Sequence, residues 1–365
     1  MSNLFKTIGT AFVLLLAAGF LAGCDSGTGT RSTTRSVVRN DQDGAQPVPA
    51  PAEPEVEAKL IRAGVGLDEQ SSQYKGLLKF KELVESASNG RLKVELFTDL
   101  RPDSGIEMSY ALQAGTLDMA CLPSTSLVRL DKRWVVFDLP FLFKDEEEAD
   151  RVLDGTLGKE YLDSLLAHDL VGMAFWENGF SQVTNGVRVV QSPSDLKGLK
   201  IGTTEKPIHQ ATLKALGAKP MPISSDQRFA ALYQKLIDGQ ESPSVASIQW
   251  KYYEAQRYIT LTNHLYSPFV FLYSRRLWDT LAPEDQLVLS EAAWNAGKHQ
   301  RQINREAASE ALASLSKAGM VVTDPGLARH EAFVKATAGV AKQFEADFGA
   351  DKLQAIRDEI AGKNH

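Results

Sequence analysis

The side chains that could carry acid–base chemistry lie in two short polar segments, 205–209 and 240–242. A carboxylate beside a histidine can serve as general base and acid, so Glu205 or Glu241 with His209 would suit a hydrolase. The sequence assigns neither carboxylate a partner. An enzyme therefore stays open as one hypothesis, beside a protein that only binds its ligand.

Catalytic motifs of known spacing are missing from the sequence. It contains no G-x-S-x-G, no G-x-x-x-x-G-K-[ST] and no H-E-x-x-H. The run Gly64-Val65-Gly66 lacks the third glycine of a dinucleotide-binding loop. The 6 histidines are scattered without the spacing of metal ligands. We therefore expect no metal, no cofactor and no catalytic residue, which favours binding over catalysis.

Composition narrows the class of partner. The 365 residues are 43% hydrophobic and 24% charged, enough for a folded core of one or two domains. The formal charge of −6 argues against a nucleic-acid partner, which would require a basic face.

The amino terminus has the pattern of an export signal. A short apolar run, 11–22, ends in small residues and is too short to span a bilayer. It closes on Leu21-Ala22-Gly23-Cys24, which resembles the bacterial lipobox. We expect cleavage after residue 23 and lipidation of Cys24, which would attach the protein to the membrane surface. Asp25 follows directly, and in lipoproteins of some bacteria an Asp at this position favours retention in the inner membrane.

The next segment, 24–58, predicts a disordered tether. It has no apolar period and is rich in Gly, Ser, Pro, Ala and Glu, so it cannot bury enough surface to fold. With Cys24 lipidated, Cys121 is the only cysteine left, in a stretch typical of a buried strand. We interpret Cys121 as a small core residue.

Residues 59–365 alternate strand-like and helix-like patterns. Apolar spacing and caps predict helices over 71–87, 207–216 and 283–318, and a fourth that Asp226 caps and that runs to Ile237. Alternation of this kind is typical of an α/β fold with mainly parallel sheets covered by helices.

Seven stretches of this region together resemble the extracytoplasmic solute-binding proteins of TRAP transporters, the DctP-type family. In chain order they are 111–118 (ALQAGTLD), 138–143 (DLPFLF), 176–180 (WENGF), 195–201 (DLKGLKI), 238–243 (DGQESP), 251–258 (KYYEAQRY) and 263–269 (NHLYSPF).

The resemblance implies a two-lobed periplasmic-binding-protein-like α/β fold. Each lobe would be a mainly parallel sheet flanked by helices, and crossing strands and a long helix would join the lobes. A small organic acid or polar solute would bind in the interlobe cleft and pass to the small and large permease subunits in the membrane. The expected bounds are 59–184 and about 268–305 for one lobe, 185–267 and about 306–330 for the other, and 331–365 for C-terminal helices.

The expected pocket departs from the family at three positions. Gly202 stands where most relatives place a carboxylate-clamping arginine, Ser242 where they have Asn, and Ser225 at a common aromatic position. An anionic ligand could instead be held by Arg188 or Lys206.

Other candidates follow from the resemblance or from position. Trp176 in the crossover would stack on a sugar or pack in the hinge, and Ser124 follows a strand end. Glu205 and His209 would suit hydroxyls or an amine. The full set of candidate ligand-binding residues is Gln73, Ser124, Trp176, Asn185, Arg188, Thr203, Glu205, Lys206, His209, Ser225, Gln240, Glu241 and Ser242.

The sequence therefore predicts a lipid-anchored periplasmic solute receptor that serves a TRAP-type transporter and has no enzymatic activity. Two alternatives stay open. One is a periplasmic lipoprotein enzyme, and the other is a receptor that reports to a sensor.

Overall fold

A computed structural model describes residues 58–99, 101 and 104–363. The predicted signal peptide, Cys24 and nearly all of the predicted tether lie outside the described residues. Within the described part of the chain, no helix is long and apolar enough to cross a membrane.

The described residues form nine strands and twelve α-helices joined by loops and short 3₁₀ turns. The strands are β1 (Lys59–Val65), β2 (Leu92–Thr98), β3 (Met119–Pro123), β4 (Leu170–Asn185), β5 (Lys200–Thr203), β6 (Lys219–Pro222), β7 (Gly239–Pro243), β8 (Tyr258–Ser274) and β9 (Val321–Thr323). The helices are α1 (Ser72–Ala87), α2 (Ser104–Ala114), α3 (Glu146–Leu153), α4 (Thr156–Ser164), α5 (Pro207–Ala215), α6 (Ser225–Tyr233), α7 (Ser244–Gln249), α8 (Arg275–Trp278), α9 (Pro283–Lys317), α10 (Leu327–Thr337), α11 (Val340–Phe348) and α12 (Ala350–Ile360).

Local signals account for the best-defined helices. The Ser71 hydroxyl accepts a hydrogen bond from the Tyr74 amide at 3.2 Å and caps α1. Pro283 begins α9 at a position where a missing N–H costs nothing. The helix predicted to begin at Asp226 differs at both ends. Its N-cap is Ser224, and α6 ends at Tyr233 because the chain then turns through Lys235, whose φ is 57°.

One mixed sheet organises the fold. Its strand order is β2-β1-β3-β8-β4-β7-β5-β6, with β9 paired to β8. Strands β1, β2 and β3 are parallel and form the sheet of what we call lobe 1, whereas β5, β6 and β7 are parallel and form that of lobe 2. The antiparallel pair β4 and β8 lies between them. The α/β class, with mainly parallel strands in each lobe, is therefore confirmed.

Strands β4 and β8 are long enough to serve both lobes. The Leu170 end of β4 pairs with β8 beside lobe 1, and its Val183–Asn185 end pairs with β8 and β7 in lobe 2. The register shifts around Glu177 and Gly179, where Gly179 takes a φ of 88° that side chains disfavour. We call the point where β4 and β8 pass from one lobe to the other the crossing. The long helix α9 packs along β4 and α1 and so spans the crossing as well.

Different apolar clusters support the two lobes, and the largest one of lobe 1 also includes Ile208 of α5. In lobe 1, Trp134, Phe137 and Phe175 lie in one buried aromatic cluster, and Phe80 packs edge-on against Phe271 at 4.9 Å in another. Cys121 is fully buried in β3, and burial raises the pKa of its thiol, as suits a core residue. Lobe 2 has its own cluster around Val183, Ile201 and Leu213.

A buried carboxylate fixes the crossing. Glu177 of β4 is fully buried and accepts hydrogen bonds from Tyr266 Oη of β8 at 2.8 Å and from Asn304 and Arg305 of α9. The Gln300 amide of α9 donates at 2.7 Å to the Glu177 carbonyl oxygen. A buried charge is tolerated only when paired and hydrogen-bonded, and Glu177 meets both conditions.

We expect Glu177→Ala to lower the free energy of unfolding by about 3–5 kcal/mol, because Arg305 and Asn304 lose their buried partner. Urea unfolding followed by circular dichroism measures the change. The control is Glu147→Ala on the exposed side of α3, which should change stability by about 0.5 kcal/mol or less. Equal losses for the two variants would contradict the role given to Glu177.

Candidate functional site

The polar segments singled out in the sequence meet at one edge of the sheet. Strands β5, β6 and β7 are parallel, so their carboxyl ends lie together, where open α/β sheets place ligands. Two contacts join this edge to lobe 1. Lys206 Nζ donates to the Thr125 carbonyl oxygen at 3.3 Å, and His209 Nε2 lies 3.6 Å from Asp138 Oδ1. We call this junction the cleft.

On one face of β7, Glu241 stands at the centre of a buried acid–histidine cluster. Its carboxylate accepts hydrogen bonds from the Thr203 hydroxyl of β5 and from His264 Nε2 of β8, the latter at 2.6 Å. The ring of His209 lies 3.9 Å from the same carboxylate. Thr204 is hydrogen-bonded to His209 Nδ1 at 2.9 Å. The cluster thus connects β5, β7, β8 and α5.

The charges of this cluster are set by mutual pairing. Burial alone would raise the pKa of Glu241, but the hydrogen bond and charge of His264, with smaller help from His209 and Thr203, lower it to about 2. Burial would depress the pKa of His209, yet the nearby carboxylate of Asp138 raises it above its ordinary value. Glu241 is therefore a carboxylate at neutral pH.

This arrangement does not suit the hydrolase hypothesis. A carboxylate with a pKa of about 2 is a weak general base at neutral pH. Glu205 is exposed. Its backbone carbonyl oxygen accepts a hydrogen bond from the Gln210 side chain at 3.0 Å. The geometry therefore favours a structural role for the acid–histidine cluster, holding the two lobes at the cleft.

The opposite face of β7 carries amides, hydroxyls and one arginine. Side chains alternate along a strand, so Gln240 and Ser242 point away from Glu241. Gln240 donates to the Thr184 hydroxyl at 3.0 Å, and Ser242 lies opposite Gln182 in the β4–β7 pair. We call the surface formed by Gln182, Thr184, Gln240, Ser242 and Arg228 the amide face.

Arg228 of α6 closes the amide face. It donates to the Glu241 carbonyl oxygen at 3.0 Å, to the Ile223 carbonyl oxygen at 3.2 Å and, weakly, to Gln240 at 3.5 Å. It also packs beside Gly202, where an added Cβ would lie 3.5 Å from Arg228 Cγ and only 2.8 Å from Ile237. A side chain at this position would therefore have to displace the end of the Ile237 side chain.

Trp176 occupies the core instead of the cleft. Its ring is fully buried, 4.8 Å from that of Phe271, and packs against Gly76 and Gly297. Its indole N–H points to the Ala293 carbonyl oxygen of α9 at 3.4 Å. Of the two interpretations offered for this residue, the structure places it in hinge packing, and neither ring face is open to a ligand.

Arg188 and Asn185 lie together in the turn after β4. The exposed Arg188 donates to the carbonyl oxygens of Asp195 at 2.7 Å and Lys197 at 2.8 Å. The Asn185 carboxamide oxygen accepts from the amides of Val187 and Arg188. Asn185 thus shapes this turn, and Arg188 ties it to residues 195 and 197.

The remaining candidates fall at different places. Gln73 is buried on α1 and donates to the Glu177 carbonyl oxygen at 2.8 Å, which places it at the crossing. Ser124 is buried after β3 beside Thr125, and its hydroxyl makes no hydrogen bond within the described residues. Ser225 is exposed in the first turn of α6. Ser124 is therefore the lobe 1 candidate with capacity for a ligand.

Sequence reasoning missed three residues of this region, Asp138, Arg228 and His264. Asp138 and His264 do lie in stretches that carried the family resemblance, but their partners are distant in the chain. Arg228 gave no signal, because an arginine in a short helix is usually solvated. Among the described residues, no group of three His, Cys, Asp or Glu side chains could hold a metal ion.

The His209–Asp138 contact predicts a pH dependence of stability. A histidine whose pKa is raised by folding stabilises the protein fully below its ordinary pKa of 6.5, and this contribution is lost as pH rises through the folded value. We therefore expect Asp138→Asn to lower the melting temperature more at about pH 6 than at about pH 9.

The control for this measurement is Asp163→Asn, which removes an exposed ion pair with Lys159. Both side chains are largely exposed, so water and salt screen their attraction and the effect of this substitution should be small at both pH values. If Asp138→Asn lowers the melting temperature by the same amount at both pH values, the stabilising role given to the His209–Asp138 contact is wrong.

Comparison with known proteins gives one family. The family model described as DctP, bacterial extracellular solute-binding protein, family 7, matches residues 64–347. The chain is 34% identical over 307 residues to the 2,3-diketo-L-gulonate-binding periplasmic protein YiaO of Escherichia coli, covering 83% of this chain and 92% of that protein.

Two solved structures of solute-binding proteins also resemble this chain. The chain is similar to the sugar acid binding protein DctPAm of Advenella mimigardefordensis in complex with galactonate, with 33% identity, a TM-score of 0.77, and coverage of 85% of this chain and 100% of that one. It is also similar to a TRAP periplasmic solute-binding protein of Polaromonas bound to D-erythronate, with 33% identity, a TM-score of 0.75, and coverage of 82% and 98%.

Proposed function

Because the chain belongs to the DctP family of TRAP solute-binding proteins, we propose that it captures a small hydroxylated carboxylic acid, such as a sugar acid, at the cleft. Proteins of this family bind small organic solutes and work with membrane permease subunits. The likeness to TRAP solute-binding structures confirms the family and the receptor class predicted from the sequence.

The observation that carries the ligand class is the chemistry of the amide face. Its side chains are hydroxyl, carboxamide and guanidinium groups, which match the hydroxyls and the carboxylate of a sugar acid. The relatives point the same way. Two similar structures hold galactonate and D-erythronate, and the E. coli relative is named for a diketo sugar acid.

The protein works in this proposal as a receptor without catalysis. The acid–histidine cluster is occupied by its own hydrogen bonds, and Glu241 is held as a stable carboxylate. A bound sugar acid should therefore be released unchanged. The receptor would deliver it to the small and large permease subunits, which fits the family better than a sensor partner.

A thermal-shift panel tests the ligand class. We expect galactonate or erythronate to raise the melting temperature, because a ligand at 100 times its Kd stabilises the folded state by about 2.7 kcal/mol. Neutral galactose should give no shift at the same concentration. If no sugar acid in the panel shifts the transition while another class does, the sugar-acid proposal is wrong.

We also propose that the mature protein is anchored in the periplasm through a lipid on Cys24, in the inner membrane. The support is the sequence LAGC at 21–24, followed by Asp25. Growth with an alkyne fatty acid should label the protein, and Cys24→Ser should abolish the label. Cys121→Ser is the matched control and should keep it. Labelling that persists in Cys24→Ser would contradict the anchor.

A further inference from the structure

Arg228 is a buried cation without a counter-anion. Only 5% of the residue is exposed. Its hydrogen-bond partners are the carbonyl oxygens of Glu241 and Ile223 and the amide oxygen of Gln240, all of them uncharged. Among the described residues, no carboxylate forms an ion pair with this guanidinium. Burial of a charge without an opposite charge is costly, so a position of this kind calls for a function.

One N–H donor of the guanidinium group also has no hydrogen-bond partner. Arg228 Nε is buried and makes no hydrogen bond within the described part of the chain. Buried donors almost always have a partner in a native protein, and an exception needs an explanation such as an absent ligand. The same charge lies near the phenol of Tyr252, where it opposes the rise in pKa that burial causes.

The location of Arg228 fits that explanation. Its partners lie at the carboxyl edge of lobe 2, since Ile223 follows β6 directly and Glu241 belongs to β7. Gly202 of β5 supplies no side chain here, and Ile237 and Arg228 pack against the position that one would take. The arginine reaches this edge from α6, across the position of the missing side chain.

We propose that Arg228 is the cation that binds the carboxylate of the ligand and thereby selects acids over neutral sugars. This inference rests on the proposed function, because it assigns a residue to the acid group of the same ligand. A carboxylate would meet the unpaired Nε–H and supply the charge that the buried guanidinium lacks. The exposed Arg188, which donates to the carbonyl oxygens of Asp195 and Lys197, has no such role.

Calorimetric titration with two probes tests the proposal. The first is D-galactonate, and the second is D-galactonamide, in which an uncharged amide replaces the carboxylate. We expect wild type to prefer galactonate by about 30-fold or more, the range in which loss of one partner from a buried charge pair falls. Arg228→Met should lose that preference and bind both probes equally weakly. Arg188→Met is the control and should behave as wild type.

The stability of the unliganded variant separates a binding role from a structural one. If Arg228 serves the ligand, Arg228→Met should melt at the same temperature as wild type or higher, because an unpaired buried charge is removed. Loss of the fold, or a lower melting temperature, would assign Arg228 to structure and overturn the proposal. Unchanged galactonate affinity in Arg228→Met would overturn it as well.

Failure of the underlying function has a different signature. If wild type binds neither galactonate nor any other sugar acid of the panel, the proposed function is wrong and the role of Arg228 falls with it. If wild type binds galactonate and Arg228→Met keeps the preference over galactonamide, only the assignment of Arg228 is wrong.

Discussion

The buried carboxylate of Glu177 is the interaction on which the arrangement of the two lobes depends. It sits where β4 passes from one lobe to the other, and it ties that point to β8 through Tyr266 and to α9 through Arg305. Arg305 in turn pairs with Asp150 of α3. Since β4 and β8 are the strands that link the two lobe sheets, the geometry of the cleft follows from this fixed crossing.

The alternation of side chains along β7 divides the cleft into two environments. Glu241 faces the histidines, where the described hydrogen bonds satisfy its carboxylate and the charges compensate one another. Gln240 and Ser242 face the opposite way, and Gln240 lies beside Arg228, whose Nε keeps an unpaired N–H. A polar cluster that satisfies itself rigidifies a structure, whereas one with spare donors is prepared for a ligand. One strand thereby provides both the frame and the binding surface.

The sequence predicted what local chemistry determines and missed what distant contacts determine. The ends of α1 and α9 follow from Ser71 and Pro283, and strand–helix alternation predicted the α/β class. The insertion of β8 between β3 and β4 joins segments far apart in the chain, and no local pattern encodes it. Correct starts for α1 and α9, and a family resemblance, therefore still left the pairing of the central strands open.

The dependence on distant contacts also explains why some site residues were predicted wrongly or missed. Trp176 and Arg188 belong to residue types that often bind ligands, but type does not reveal burial or partners. The structure packs Trp176 between α1 and α9, and it binds the Arg188 guanidinium to the backbone carbonyl oxygens of Asp195 and Lys197. Arg228 is the reverse case, because its importance comes from the absence of a counter-anion, a property that only the folded surroundings define.

The chain carries a formal charge of −6, so an anionic ligand is not drawn in by the overall field. Capture must then rely on a local cation that water and other side chains do not neutralise. A guanidinium buried among neutral oxygens satisfies this condition and leaves the unliganded protein with an uncompensated charge. A ligand carboxylate would remove that penalty, whereas a neutral sugar would not. Selectivity for acids would thus arise from a defect of the empty site as much as from a contact in the filled one.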